Sequence, residues 1–308
     1  MSIQDKAQAV IAIVNIDGVN WQLHHFSRFI GEKTELWFFG VGCADEAIMN
    51  QMGNAFLTYV ANNDPCLGRI GISLGMTPTA FFPLKLDFNL WWAWGQDPDW
   101  FNTYMMNVRV KPTLILCLSD LVKKEAEKNG FDTLSLPFGV WRFFKPLGLE
   151  RKGIGYAGNL ERSSEQFEML LSPFRNRGDF ELCRKNKTDP YISYPELNEW
   201  YNRKQLLLGT MAEGIAKLDI PINSVLEILA SGTPLITSCS AINNVLNFDY
   251  PYVTDSKEKT VVLADEIFQN YPETLTKFGD ISQNILKNHN YLVRLKTLFD
   301  KLETLKCG

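Results

Sequence analysis

Short apolar runs bounded by polar or glycine-containing segments recur along the chain. In the first half they cover residues 9–15, 34–40, 69–74, 90–94, 113–118 and 131–136. Runs of this length between turn signals are typical of buried strands. Helical patterns lie between several of them, at 21–30, 45–61 and from Ser119 to Gly130. Strands that alternate with helices predict an α/β fold whose parallel strands are joined by crossover helices.

The second half repeats this alternation. Strand-like runs lie at 153–157, 180–183, 205–209 and 234–237, with helical patterns at 163–171 and 195–204. Pro137 to Gly148 contains two prolines and two glycines, which favours a connection between domains there. From 272 to 305 an apolar stripe predicts terminal helices with a break at Asn288 to Arg294. We therefore predict domains at 1–140 and 141–275, followed by terminal helices at 276–308 that pack across both; a length of 308 residues favours two domains.

Composition and charge narrow the function classes. A formal net charge of −4 argues against a broad nucleic-acid surface, and we interpret the mid-chain cluster of Arg142, Lys145, Arg151 and Lys152 as a solvated hinge. The six cysteines show no metal-ligand spacing and are expected to be reduced residues of an intracellular protein. Because the N-terminus carries no long apolar segment, we expect a cytoplasmic protein without a transmembrane span.

Asp219 to Thr237 is the stretch with the clearest chemistry. Its pattern predicts a helix that opens near Asn223 and Ser224, stops at Gly232 and leads into a strand. A helix N-terminus attracts phosphate, and Asp219 and Glu227 lie eight positions apart on either side of it. Phosphate and hydroxyl groups could therefore be held together here, which indicates a nucleotide-sugar site.

Two glycine and acidic patterns have weaker support. Gly153 to Gly158 spells G-x-G-x-x-G, with Asp179 about twenty residues beyond, but the glycines lie inside the strand-like run instead of after it. Gly158 and Asn159 instead predict a turn at the end of a strand that lets backbone approach a ligand. Asp97 and Asp99 form a D-x-D pair in an aromatic loop without a second acidic cluster, so we expect acceptor contacts and no metal site.

Histidines are the remaining candidates for direct chemistry. His24 and His25 fall in the helix predicted from Trp21 to Ile30, just after the first strand. That position could place His25 against a ligand, whereas a structural role is the alternative. Serine-hydrolase, P-loop and zinc-protease motifs do not occur in the sequence.

The second half of the chain resembles retaining glycosyltransferases of the GT-B fold. Asp219-x7-Glu227 stands where the large family-four type has E-x7-E, and Leu229 to Thr237 is similar to the segment that follows it. Leu136 to Gly139 and Tyr156 to Arg162 are similar to its linker and to the first turn of its second domain. Asn288 to Arg294 resembles the terminal-helix signature of small spore-maturation-like and phage-encoded members.

The resemblance implies two Rossmann-like domains that face each other across a cleft, with a C-terminal helix that crosses back. It implies that Glu227 binds the ribose, that the Asn223 and Ser224 amides and Arg162 bind the diphosphate, and that Asp219 binds the sugar. Gly158 and Asn159 would approach the nucleotide. The implied donor is a nucleoside diphosphate sugar, with a UDP-sugar as the default, and no separate cofactor or metal is needed.

The sequence departs from the family pattern at Asp219, where an aspartate replaces a glutamate, and at Ser163, where the family has a lysine. Three interpretations follow. The first is transfer of a hexose or pentose, with retention, to a glycan or small molecule. The second is transfer to hydroxymethylated pyrimidines in DNA, for which the basic cluster and the aromatic loop would form the surface. The third is a degenerate GT-B protein that binds a nucleotide without turnover.

Overall fold

The computed structural model describes most of the chain. Described residues are 12–16, 19–23, 25–40, 43–63, 65–75, 85–93, 111–157, 165, 167–183, 192–210, 215, 217–220 and 222–307. The chain divides into two compact units, one made of residues 1–137 and 291–308 and the other of residues 138–290. Within the described residues, no helix has both the length and the apolar character to cross a membrane.

The first unit is built on a six-stranded sheet. Its elements are β1 (Ala12–Ile16), β2 (Val19–Leu23), β3 (His25–Ile30), β4 (Thr34–Gly40), α1 (Cys43–Asn63), β5 (Gly68–Gly75), β6 (Phe88–Ala93), β7 (Leu114–Cys117), α2 (Asp120–Lys128) and β8 (Thr133–Ser135). The sheet order is β3-β4-β5-β6-β7-β8, with β3 antiparallel to β4 and the other pairs parallel. The central strands are almost wholly buried, as their continuous apolar runs predict.

The last helix of the chain belongs to this first unit. Helix α8 (Tyr291–Cys307) follows α7 (Tyr271–Asn288) after the predicted break. Phe299 of α8 makes edge-to-face contacts with Phe56 and Tyr59 of α1, at ring-centroid distances of 6.2 and 5.1 Å. The apolar stripe predicted from 272 to 305 is therefore divided between two helices, of which the second closes the core of the first unit.

The second unit is built on a wholly parallel sheet of four strands. Its elements before α7 are β9 (Ile154–Tyr156), a π-helical turn (Phe167–Leu171), β10 (Phe180–Leu182), α3 (Tyr194–Asn202), β11 (Leu206–Gly209), α4 (Asn223–Ala230), β12 (Leu235–Thr237), α5 (Ile242–Leu246) and α6 (Lys257–Gln269). The sheet order is β10-β9-β11-β12. Helix α4 is buried along most of its length, and Ser282 of α7 donates a 2.6 Å hydrogen bond to the carbonyl oxygen of Ala230.

The helix predicted from Trp21 to Ile30 is wrong. Those residues lie in β2 and β3, so His25 occupies a strand paired with Gly40 and not a helix. The physical reason is a set of cross-strand contacts that local sequence does not reveal. Arg28 forms an ion pair with Glu35 at 2.9 Å and stacks on Trp37 at 4.6 Å, and both partners lie on β4. The first predicted strand is also separate from the main sheet, since β1 pairs only with β2 among the strands that the structure describes.

Candidate functional site

The carboxyl edge of the four-stranded sheet is where this fold type places ligands. From β9 the chain passes to β10 on one side and later to β11 on the other, so the order of strands reverses between β9 and β11. Crevices at such reversal points are the usual binding sites of open parallel sheets. At this point the Tyr156 hydroxyl lies 2.8 Å from Oγ1 of Thr210. The hydroxyl pair links the ends of β9 and β11.

Helix α4 begins at the same edge because it connects β11 to the parallel strand β12. Its first residues are Asn223 and Ser224, as the sequence pattern predicts. Ile222 occupies the N-cap position in an extended conformation, and no side-chain cap hydrogen bond is made there. Capping positions usually carry Ser, Thr, Asp or Asn because the first amide groups of a helix need an acceptor. An aliphatic N-cap therefore leaves this helix start suited to an anionic ligand.

Glu227 lies one turn into α4 and is only 5% exposed. Its carboxylate accepts a hydrogen bond from Nδ2 of Asn223, the residue four positions earlier. A buried carboxylate is costly unless it is hydrogen-bonded, and this contact supplies part of that requirement. Burial, with a further contribution from the charge of Glu227, raises the pKa of Tyr201 well above its usual value. Asn223 and Glu227, two of the predicted site residues, are thus hydrogen-bonded to each other.

Asp219 precedes the helix in the left-handed region, with φ of +51°. Nδ2 of Asn244, on α5, donates a 2.8 Å hydrogen bond to its Oδ2. Cys239 is buried nearby, and burial raises the pKa of its thiol to about 11, with a backbone hydrogen bond from Ile222 opposing that rise and the Asp219 charge adding to it. Asp219 and Ile222 therefore lie beside a neutral, buried thiol.

The opposite end of α4 is held by Arg151. Nη2 donates to the carbonyl oxygens of Ser231 and Gly232 at 3.3 Å each, and Nη1 donates to Oγ1 of Thr233. The guanidinium also bonds to the end of α3, at the carbonyl oxygens of Tyr201 and Lys204 and at Oδ1 of Asn202. Among the described residues none of these partners is a carboxylate, and burial lowers the pKa of Arg151.

This contact corrects the interpretation of the mid-chain basic cluster as a solvated hinge. Arg142, Lys145 and Lys152 are exposed, whereas Arg151 is directed into the second unit. No local sequence signal distinguishes Arg151 from the other three, since its acceptors lie 50 to 82 positions away in the chain.

The glycines of the G-x-G-x-x-G pattern that the structure describes have steric roles. Gly153 has φ of +65°, and a Cβ there would lie 2.2 Å from the Asp179 carbonyl oxygen. A Cβ at Gly155 would lie 2.7 Å from the Trp200 ring. Both glycines therefore permit close packing around β9, which agrees with the weak support for a dinucleotide fingerprint.

Several predicted site residues lie outside the described part of the chain: Gly158, Asn159, Arg162, Asp97 and Asp99. For His25 the structure describes the strand but not the side chain. Sequence reasoning missed Asn244 and Arg151. Neither belongs to a motif with a fixed spacing, so only the folded chain brings them to Asp219 and to the end of α4.

No protein-family model matches this sequence, and no curated protein matches it. Among solved structures, the chain is similar to a trehalose-6-phosphate synthase, OtsA, with a TM-score of 0.53 and 12% identity over 90% of this chain and 88% of that one. A sucrose-phosphate synthase from Thermosynechococcus elongatus gives a TM-score of 0.49 and 11% identity over 82% and 72%. A glycosyltransferase from Rickettsia africae ESF-5 gives 0.45 and 10% over 84% and 81%.

At such low identity the likeness concerns the fold alone. Of these three structures, the trehalose-6-phosphate synthase is the one with a TM-score above 0.5. Its similarity extends over nearly all of both chains, so it includes both units. Each unit has the strand and helix alternation of a Rossmann-like domain. The chain therefore has the GT-B fold.

Proposed function

We propose that this protein is a glycosyltransferase that moves a sugar from a nucleoside diphosphate donor to an acceptor, with retention of configuration. We further propose that it is of the family-four type and closest to the spore-maturation-like and phage-encoded members. The observation that carries the proposal is the start of α4, which has an aliphatic N-cap and lies between Asp219 and Glu227. The similarity in fold to a trehalose-6-phosphate synthase supports the same class.

Each side chain has a role in this proposal that fits its chemistry. The carboxylate of Glu227 is held by Asn223, so it can accept hydrogen bonds from the ribose hydroxyls. The Asn223 and Ser224 amides begin a helix whose dipole favours the diphosphate. Asp219 accepts hydrogen bonds from hydroxyls of the donor sugar. Arg162, which follows β9 in sequence, adds positive charge beside the leaving phosphate.

The reaction places positive charge on the sugar and negative charge on the departing phosphate. Preorganised donors aimed at such developing charge are worth roughly 3 kcal/mol each. The helix start and Arg162 would supply them, and the leaving phosphate would take the acceptor proton, so no separate protein base and no metal are required. We propose UDP-sugars as the default donors, Asp97 and Asp99 as acceptor contacts, and His25 as a ligand contact.

The first test is binding. Uridine, guanosine, thymidine and cytidine diphosphates are each added to the full chain, and the shift in melting temperature is recorded. We expect one or two of them to stabilise the protein. Glu227→Ala should weaken binding of that nucleotide by about tenfold to a hundredfold, because a hydrogen bond to a charged group is worth roughly 1.5–3 kcal/mol. Glu199→Ala, at an exposed carboxylate of α3, is the matched control.

The second test is turnover. Hydrolysis of the matching nucleotide-sugars should be measurable in the wild type, should fall in Glu227→Ala and should be unchanged by a metal chelator. If none of the diphosphates binds, the proposal fails. If the wild type and Glu227→Ala are both inert while nucleotide still binds, the protein is the non-catalytic GT-B protein instead.

Transfer to hydroxymethylated DNA bases is less well supported. The guanidinium of Arg151 is hydrogen-bonded to the ends of α3 and α4, so one of the four mid-chain cations is directed away from the surface that would contact phosphates. Salt-dependent binding of duplex DNA would restore that alternative.

A further inference from the structure

Asp219 is held in an unusual backbone conformation. Left-handed φ values are uncommon for residues other than glycine, although aspartate and asparagine adopt them more readily than most. Among the described non-glycine residues, only Asp219 and Asn247 have positive φ. Asn247 ends helix α5 in the ordinary manner, with its amide donating to the Asn243 carbonyl oxygen at 2.9 Å. Asp219 has a similar position, because Ile215 and Lys217 before it are helical and the Ile220 amide donates to the Ile215 carbonyl oxygen at 3.3 Å. It lies just before the helix start of the candidate site.

The side chain of Asp219 is fixed as well as its backbone. Nδ2 of Asn244 donates to Oδ2 over 2.8 Å, across 25 positions of sequence. An ionised carboxylate has about four acceptor positions on two oxygens, so one amide donor leaves capacity for further hydroxyl donors. Asn244 is itself exposed and Asp219 is half-buried, so the pair lies where a ligand can reach it.

Asn244 lies on a helix that is anchored by buried apolar side chains and by hydrogen bonds. Ile242 and Leu246, on either side of it, are buried. Oδ1 of Asn243 accepts a 2.8 Å hydrogen bond from the Tyr250 amide, and the Tyr250 hydroxyl donates to the Leu235 carbonyl oxygen of β12 at 2.7 Å. The amide of Asn244 therefore reaches Asp219 from a fixed position, at little further entropic cost.

We propose that Asn244 is a positioning residue that orients the Asp219 carboxylate toward hydroxyl groups of the donor sugar. The inference rests on the proposed function, since it assigns Asn244 to the sugar end of the same site. An aspartate is one methylene shorter than the glutamate of the related pattern, so its reach depends on which way the carboxylate is turned. Asn244 sets that orientation by holding Oδ2, and in this proposal Oδ1 is the oxygen that meets the sugar hydroxyls.

The experiment compares two ligands of the full chain: the nucleoside diphosphate that binds, and its glucose conjugate. Isothermal titration gives the ratio of the two affinities, and hydrolysis of the conjugate gives kcat and KM. We expect Asn244→Ala to weaken the conjugate about tenfold and the diphosphate less than twofold. Asn244→Gln keeps the amide donor and should recover part of the ratio.

A double-mutant cycle separates positioning from a general structural role. Asp219→Gly removes the carboxylate while permitting positive φ. Because Asn244 acts through Asp219, adding Asn244→Ala to Asp219→Gly should change the ratio no further. Asn243→Ala is the matched control on the same helix. It loosens the contact with Tyr250, so it should lower the melting temperature more than Asn244→Ala does, while the affinity ratio stays within twofold of the wild type.

Two results would overturn the inference: an unchanged affinity ratio in Asn244→Ala, whether both ligands are weakened equally or neither is weakened, and an additional loss in the Asp219→Gly background. Each of them leaves the proposed function standing if the wild type binds the diphosphate and hydrolyses the conjugate. If the wild type binds neither ligand, the proposed function fails, and the role of Asn244 fails with it.

Discussion

The two ends of helix α4 differ in the side-chain hydrogen bonds that the rest of the second unit makes to them. At the C-terminal end the last carbonyl groups accept from the half-buried guanidinium of Arg151, and Gly232 turns the chain with φ of +70°. At the N-terminal end Ile222 provides no side-chain cap. A cation at the C-terminus stabilises the helix dipole, as an anion would at the N-terminus. The fold thus satisfies one end by itself and leaves the other suited to a ligand.

The contrast shows how a short helix can be held in place at one end while its other end is suited to binding a ligand. An eight-residue helix is marginal by itself, so its position depends on packing and on anchoring. Arg151, Thr233 and Ser282 supply that anchoring at the far end from the ligand. We infer that stability and binding are separated along α4, and the following substitutions test the separation.

Loss of the Arg151 clamp, meaning the hydrogen bonds from its guanidinium to the ends of α3 and α4, should have the largest effect on stability. Arg151→Met takes away the side-chain donor of the Lys204, Ser231 and Gly232 carbonyl oxygens, which should cost about 3 kcal/mol of unfolding free energy. Urea unfolding measures it. Arg203→Met is the matched control, since Arg203 forms an exposed ion pair with Glu199 at 2.7 Å and should change stability by about 0.5 kcal/mol or less. Similar losses of unfolding free energy in both variants would show that the Arg151 hydrogen bonds do not stabilise the ends of α3 and α4.

Gly232→Ala should have an intermediate effect at the same end. An added Cβ meets positive φ and lies 3.2 Å from Cγ of Pro146, so we expect a loss of about 2 kcal/mol. Gly130→Ala isolates the backbone contribution, because Gly130 has φ of +77° and a Cβ added there would meet nothing within 4 Å. It should lose about 1 kcal/mol in the same urea titration. Equal losses would show that the Pro146 contact contributes nothing.

A side-chain cap at the other end should have the smallest effect on stability but a clear effect on binding. Ile222→Asp supplies an acceptor and a negative charge at the helix start, so unfolding free energy should change by no more than about 1 kcal/mol. Affinity for the bound nucleoside diphosphate should fall about tenfold, or about 1.4 kcal/mol, by titration calorimetry. For Ile222→Asn, which caps without charge, affinity should fall less. Unchanged affinity in both variants would show that this helix start does not bind the diphosphate.

Much of the fold is predictable from local pattern. The buried strands at 34–40, 69–74 and 205–209, the helix start at Asn223, the stop at Gly232 and the break between α7 and α8 all follow from apolar runs, glycine and helix signals, and the structure confirms them. These features succeed because each is determined by neighbours within a few positions. The structure divides the two units after Pro137, which is the first residue of the segment predicted to connect two domains.

The failures share a cause. Residues 21–30 form strands because Arg28 pairs with Glu35 and Trp37 on the next strand, a contact that the helical pattern does not reveal. Arg151 is half-buried and holds the ends of α3 and α4 through acceptors that lie 50 or more positions away in sequence. In both cases a long-range contact outweighs the local propensity.

In the candidate site, local sequence is enough to predict the helix that carries Asn223, Ser224 and Glu227, because a helix start and its preceding loop are encoded in consecutive positions. The binding roles of these residues and of Asp219 stay predictions. Folding adds three relations that no local pattern contains. Asn244 holds Asp219, Arg151 holds the opposite end of α4, and the helix start lies at the carboxyl edge of a parallel sheet. These relations join residues far apart in sequence, and their free energy exists only when the chain has folded.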